Sequence, residues 1–186
     1  MPRVYLAGPD VFLPEPVARG DALKAICARH GLAGVYPLDP VDDDPAWASW
    51  PVARRISAKN VAHMLGCDAI VANLTPFRGP SADAGTIFEL GFMAARGPVF
   101  GWTNVAEDFS ARTLAFLGPA ARPDPGRGWV DGHGMAVEAF GCADNLMIDG
   151  ALTALFRRAI PEASRWDDLG AFEEAVAAAA KALRPA

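Results

Sequence analysis

The sequence is short of clustered positive charge, of cysteine and of long apolar runs, and each shortage removes a class of function. Its 17 Lys and Arg residues are outnumbered by 22 Asp and Glu, for a formal charge of −5, and no basic run stands out. The electrostatic footprint of a protein that binds a nucleic-acid polymer is missing, so any nucleic-acid component it takes is expected to be a monomer. Only three cysteines occur, Cys27, Cys67 and Cys142, far apart and without CxxC spacing. That pattern points to free thiols in a reducing compartment, each buried among apolar neighbours, with a reactive thiol as the alternative. His30, His63 and His133 form no ligand cluster, and neither a metal nor a redox cofactor is expected. No apolar stretch reaches the roughly 18 residues of a membrane span. The opening Met1-Pro2-Arg3 runs straight into a strand-like segment without a signal-peptide core. These absences predict a cytoplasmic chain with no membrane partner.

What is present suits one compact domain over residues 1–186: hydrophobic residues make up 52% and charged residues 21%. Arg3-Val4-Tyr5-Leu6-Ala7, stopped by Gly8-Pro9, reads as a buried first strand. Apolar residues at Val17, Ala22, Leu23, Ile26 and Cys27 give helical spacing over about residues 15–30, and Gly31 follows as a stop. Residues 33–38 read as a second strand, 52–66 as a helix, 68–74 as a central strand, 86–96 as a helix and 98–102 as a fourth strand. The order βαβαβαβ predicts a doubly wound, flavodoxin- or Rossmann-like parallel sheet flanked by helices. Residues 103–142, rich in Gly and Pro, read as a long loop or interface segment. Residues 145–159 and 168–183 read as two closing helices.

In such sheets ligands bind beyond the carboxyl ends of the strands. Three loops fall there: one with Gly8-Pro9-Asp10, one after Leu38, and one from Thr75 to Gly85. The third leads into Asp83-Ala84-Gly85-Thr86-Ile87-Phe88-Glu89, which sets one carboxylate on the loop and another on the first turn of a helix. A helix N-terminus favours an ionised carboxylate, and an ionised Glu at the mouth of an apolar crevice suits attack on an anomeric carbon. The same residues also fit a capping box, Thr86-x-x-Glu89, with Asp83 an ordinary loop aspartate. Neither a P-loop nor a G-x-G-x-x-G fingerprint occurs.

Three blocks taken together, Val4-Tyr5-Leu6-Ala7-Gly8-Pro9, Asp68-Ala69-Ile70-Val71-Ala72-Asn73-Leu74-Thr75-Pro76-Phe77-Arg78-Gly79 and Asp83-x-Gly-Thr-x-x-Glu89-Leu-Gly, resemble the nucleoside 2-deoxyribosyltransferase family. So does the late Ala143-Asp144-Asn145-Leu146-Met147. The resemblance, which spans residues 4 to 147, implies an enzyme of nucleotide salvage. Its partners are deoxynucleosides and free nucleobases, and it works without a cofactor. The resemblance makes Glu89 the nucleophile of a covalent deoxyribosyl intermediate, Asp83 the carboxylate that holds a sugar hydroxyl, and Asp68 the proton donor to the leaving base. It makes Tyr5 the residue that orients Glu89. Asn145 then reaches into the site of a neighbouring subunit, so a homo-oligomer is implied, with residues 103–142 as the element that places Asn145.

Gly8 is a candidate to line the substrate pocket, and Phe12 and Phe77 to flank it, with core packing as the alternative for both aromatics. Asp39, Asp42, Asp43, Asp44 and Trp47 are candidates to contact the base, with a solvated acidic loop as the alternative. A hydrolase of deoxynucleoside 5′-monophosphates on the same scaffold is the nearest rival, with Ser81 near the nucleophile. Asp10 in the first turn argues against it by repelling phosphate. A nucleoside-sensing module without catalysis is the rival from another class, and it would lack Glu89 or Asp83.

Overall fold

The strand-like run after Pro2 forms β1 (Arg3–Ala7), and the first amphipathic segment forms α1 (Pro16–Arg29). Then follow β2 (Ala33–Val35), α2 (Val52–Leu65), β3 (Ala69–Asn73), α3 (Ala84–Ala94) and β4 (Val99–Thr103). The computed structural model describes residues 1–41 and 44–184. Five strands make one parallel sheet, ordered β2-β1-β3-β4-β7, with β7 at Ala154–Arg157. This is a doubly wound α/β fold. The chain winds from β1 outward to β2, then crosses to β3 on the other side of β1. The connections leaving β1 and β3 therefore diverge, which opens a crevice at their carboxyl ends.

The period-two alternation of the strands sorts their side chains between two cores. Val4 and Leu6 of β1, Val71 of β3 and Trp102 of β4 pack toward α1 and α6 (Gly170–Ala182). Tyr5 and Ala7, with Ile70 and Ala72, face the opposite side with Met64 of α2 and Leu90 and Met93 of α3. Strand parity thus sets the Tyr5 ring on the face that α3 covers. Cys27 and Cys67 are buried, and burial pushes their thiols up to about 12 and about 11, the behaviour of structural cysteines; Cys142 is half-buried. Among the described residues no helix is long and apolar enough to cross a membrane.

Three segments differ from the sequence reading. β2 stops at Val35 because a turn follows: the Tyr36 amide donates to the Asp39 carboxylate at 2.8 Å and the Asp39 amide to the Tyr36 carbonyl at 2.9 Å. Residues 103–142 hold structure, namely α4 (Phe109–Leu117) and a hairpin of β5 (Arg122–Asp124) and β6 (Gly128–Val130). No α4 residue is fully buried, so this helix carries no core-facing stripe to betray it in the sequence. The helix expected at residues 145–159 splits into α5 (Leu146–Asp149) and the edge strand β7. Ala154 and Phe156 pack toward the α1 side and Leu155 toward the α3 side. Four residues of alternation are too few to outweigh the helical pattern around them.

Candidate active site

Asp83 opens α3 as its N-cap: the carboxylate accepts from the Thr86 amide at 2.9 Å and from the Thr86 hydroxyl at 3.1 Å. The cap therefore sits three residues before Thr86, and the Thr86-x-x-Glu89 capping box does not form. Glu89 lies on the buried stripe of the helix, with Thr86, Leu90 and Met93, and is 9% exposed. A carboxylate on a core-facing stripe needs partners. The Tyr5 hydroxyl donates to Glu89 Oε1 at 2.7 Å, and Asn60 Nδ2 of α2 donates to the same oxygen at 3.3 Å. Oε2 has no hydrogen-bond partner among the described residues.

Burial pushes the Glu89 carboxyl up from 4.5 to about 7; the Tyr5 hydrogen bond opposes that rise, the negative charge of Asp83 adds to it, and the Asn60 bond opposes it. The Tyr5 hydroxyl is itself raised far above the usual phenol range, first by burial and then by Glu89, so it stays protonated and donates. The pair is a carboxylate poised near neutrality, with one oxygen fixed and the other uncommitted.

Glu89 stands where two lobes of a cleft meet. One lobe, about 120 Å³, is lined by Gly8, Phe12, Asp83 and Thr86, and the other, about 280 Å³, runs between α2 and α3 past Ile56, Ser57 and Phe88. Asn60 and Gly85 border both. A larger cavity, about 480 Å³, lies against α4 and holds neither Glu89 nor Asp83. Chemistry rather than size marks the site. Gly8 has room only for hydrogen there, because a Cβ would come within 2.4 Å of Asp10 Oδ2 and 2.7 Å of Asn73 Cβ.

The structure thus brings Tyr5, Gly8, Phe12, Asp83 and Glu89 to one cleft. It leaves others out. Asp68 sits at the amino end of β3, exposed, where its carboxylate accepts from the Arg3 amide at 2.8 Å. The expectation of Asp68 as proton donor to the base is corrected: a residue that precedes the strand lies at the opposite end of the sheet from the crevice. Asp39 is also corrected as a base contact. Its carboxylate is held by Lys24 at 2.7 Å and by the Tyr36 amide, and it lines a separate depression with Arg3 and His63. Asp44 caps a short turn through the Ala46 amide, and Trp47 stacks on Trp50. Asp42 and Asp43 lie outside the described residues.

Asn145 is not in the cleft of its own chain. It caps α5 by accepting from the Met147 amide at 3.0 Å through Oδ1, and its Nδ2 donates to Glu138. Ser81 donates to the buried Asp144 at 2.6 Å. The sequence argument from Asp10 against phosphate also fails: Asp10 is 2% exposed and paired with Arg19 at 2.7 Å, so it shows the cleft no free charge. Phe77 stacks against Phe12 with ring centroids 5.4 Å apart, beside the first lobe. Asn60 is the residue the sequence reading missed. Its signal was a polar side chain four residues after Ile56 and four before Met64, on the apolar stripe of α2.

Set beside known proteins, residues 4–147 match a family model described as nucleoside 2-deoxyribosyltransferase. An uncharacterised protein of Schizosaccharomyces pombe is 33% identical over 161 residues, which cover 81% of this chain and 76% of that protein. A 2-deoxyribosyltransferase from Leishmania mexicana superposes with a TM-score of 0.63 at 25% identity, covering 95% of this chain and 97% of that one. A conserved protein from Enterococcus faecalis V583 shares the fold, with a TM-score of 0.51 at 18% identity over 86% of this chain and 92% of its own.

Proposed function

The chain belongs to the nucleoside 2-deoxyribosyltransferase family, and from that premise we propose that it moves a 2-deoxyribosyl group between nucleobases by double displacement through Glu89. The observation that carries the reading is the buried Glu89 carboxylate, with Oε1 held by Tyr5 and Asn60 and Oε2 uncommitted in the cleft. Oε2 attacks C1′ of the donor deoxynucleoside as the N-glycosidic bond breaks. Positive charge builds on the sugar in that step, and the buried carboxylate stabilises it. The base leaves with the bonding pair and takes up a proton from water on the open side of the cleft, since Asp68 lies at the amino end of the sheet, away from the crevice. A second base then attacks C1′ of the glutamyl ester, gives up its ring N–H proton to water, and releases Glu89. Two inversions at one carbon give net retention.

Asp83, at the rim beside Glu89, holds the sugar hydroxyl, and Phe12 packs against the bound donor. Asn145, which makes no contact with its own cleft, completes the site of a second subunit in a homo-oligomer. The test is a chromatographic assay of purified protein with 2′-deoxynucleosides, with and without a second free base, beside Glu89→Ala. A new deoxynucleoside made by the wild type and not by the variant is the expected result. Release of free base without exchange, or turnover of 5′-monophosphates alone, would replace the transferase with a hydrolase.

A further inference from the structure

Within the turn after β1, Asp10 has its side chain drawn into the protein. Gly8, Val11 and Phe12 line the cleft beside Glu89, whereas Asp10 is 2% exposed and clamped from two sides. Arg19 Nε of α1 donates to Oδ1 at 2.7 Å, and Asn73 Nδ2, at the end of β3, donates to Oδ2 at 2.8 Å. Asn73 cannot turn its amide over freely, because its Oδ1 accepts from the Thr75 amide at 3.0 Å.

The chain of bonds continues across the sheet edge. The Thr75 hydroxyl accepts from the Asn104 amide at 3.1 Å, and Asn104 Nδ2 donates to the carbonyls of Arg165 at 2.7 Å and Asp168 at 2.8 Å. Asn73, Thr75 and Asn104 are 0% exposed. This buried polar belt runs along the carboxyl ends of β1, β3 and β4, and three aromatics in mutual contact, of which Phe12 lines the cleft, are attached next to its members. Phe12 follows Asp10 by two residues, Phe77 follows Thr75 by two, and Trp166 adjoins Arg165. Phe77 stacks on Phe12 and meets Trp166 edge-on at 6.2 Å. A buried ion pair is a poor way to add stability, because desolvation offsets the attraction, but it fixes direction well.

We propose that Asp10 and Arg19 are positioning residues for the donor: they fix the Gly8–Phe12 turn, and with it the Phe12 ring, against the bound deoxynucleoside, and act on its binding rather than on Glu89. The proposal rests on the reading of the cleft as a deoxynucleoside site.

The decisive variants are Asp10→Asn and the exchange pair Asp10→Asn with Asn73→Asp, assayed as folded fraction by thermal melting and by steady-state kinetics across pH. In Asp10→Asn one clamp is lost, because an amide NH₂ must face the Asn73 NH₂ or Arg19. The exchange pair restores every bond and keeps the charge, with the carboxylate moved to position 73. The expected result is a donor KM raised about tenfold in Asp10→Asn, the effect of one charge-assisted hydrogen bond. Neither kcat nor the pH profile should move, and the exchange pair should recover most of the KM. Should Asp10→Asn not fold, Arg19→Lys, which keeps the charge and loses the directed Nε donor, is expected to raise KM in the same way. An unchanged KM in the folded variants, or a fall in kcat with a shifted pH profile, overturns the positioning role while leaving base exchange intact. A wild type that exchanges no base overturns the reading of the site and this proposal with it.

Discussion

Glu89 bears two demands that conflict. As the proposed nucleophile it must be ionised, yet it lies on the core-facing stripe of α3, where burial holds its carboxyl at about 7 instead of 4.5. That difference disfavours the ionised form in the fold by about 3 kcal/mol relative to the unfolded chain. The sign follows from linkage. With the folded value above the unfolded one, this group's contribution to stability is fully present below pH 4.5 and is lost as pH rises through about 7. Activity runs the other way, so kcat/KM should climb with pH through about 7 as Glu89 ionises. Tyr5 donates to the ionised form, and Tyr5→Phe should therefore move that ascending limb to higher pH and lower the plateau. A limb that stays in place in the pH–rate profile of Tyr5→Phe would separate Tyr5 from the ionisation of Glu89. At this scale Tyr5 and Glu89 were named together through the resemblance, and the structure sets their side chains within hydrogen-bond distance. Asn60 showed only as a polar residue on an apolar helix stripe, its bond to Glu89 being a fact of three dimensions, and Asp68 was misassigned although its place at the start of a strand set it opposite the crevice.

Among the elements, α3 carries the site, and its cap has two duties. Asp83 closes the first turn through Thr86 and also sets a negative charge near Glu89. Asparagine caps helices about as well as aspartate, whereas alanine costs about 1 kcal/mol. Asp83→Asn should consequently melt close to the wild type, while Asp83→Ala melts lower. If Asp83 holds the sugar, both should lose roughly 10- to 100-fold in kcat/KM, the effect of one hydrogen bond to a charged group. Asp83→Asn should also shift the ascending limb to lower pH, because a like charge near Glu89 is gone. Full activity in Asp83→Asn would leave the residue a cap and nothing more. The long periodic elements, β1, α1, α2, β3, α3, β4 and α6, were readable from spacing and stop signals to within a few residues. β7 was not, because four half-buried residues at a sheet edge take their strand form from pairing with β4. Nor was α4, whose residues leave no stripe against a core.

For the molecule as a whole, the order β2-β1-β3-β4-β7 opens the crevice, and everything gathered at Glu89 follows from that topology. The segment between β4 and α5 projects α4 and a hairpin rather than a bare loop, and it ends at Asn145. The reading of Asn145 as a partner's residue makes a direct prediction. Glu89→Ala and Asn145→Ala should each abolish exchange alone, and mixing the two proteins should restore part of it, since some sites then receive an intact Glu89 and an intact Asn145. No recovery on mixing, with both variants folded, would make each chain's site self-contained.

The central claim is that the deoxyribosyl group rests covalently on Glu89 between the two half-reactions. The most direct measurement is to mix enzyme with a 2′-deoxynucleoside and no acceptor base, quench in acid, and map the peptides by mass spectrometry. The account predicts a deoxyribosyl adduct on the peptide containing Glu89, absent from Glu89→Ala and discharged when a free base is added before the quench. Base exchange in solution with an unmodified Glu89 peptide, or an adduct on another residue, would contradict it.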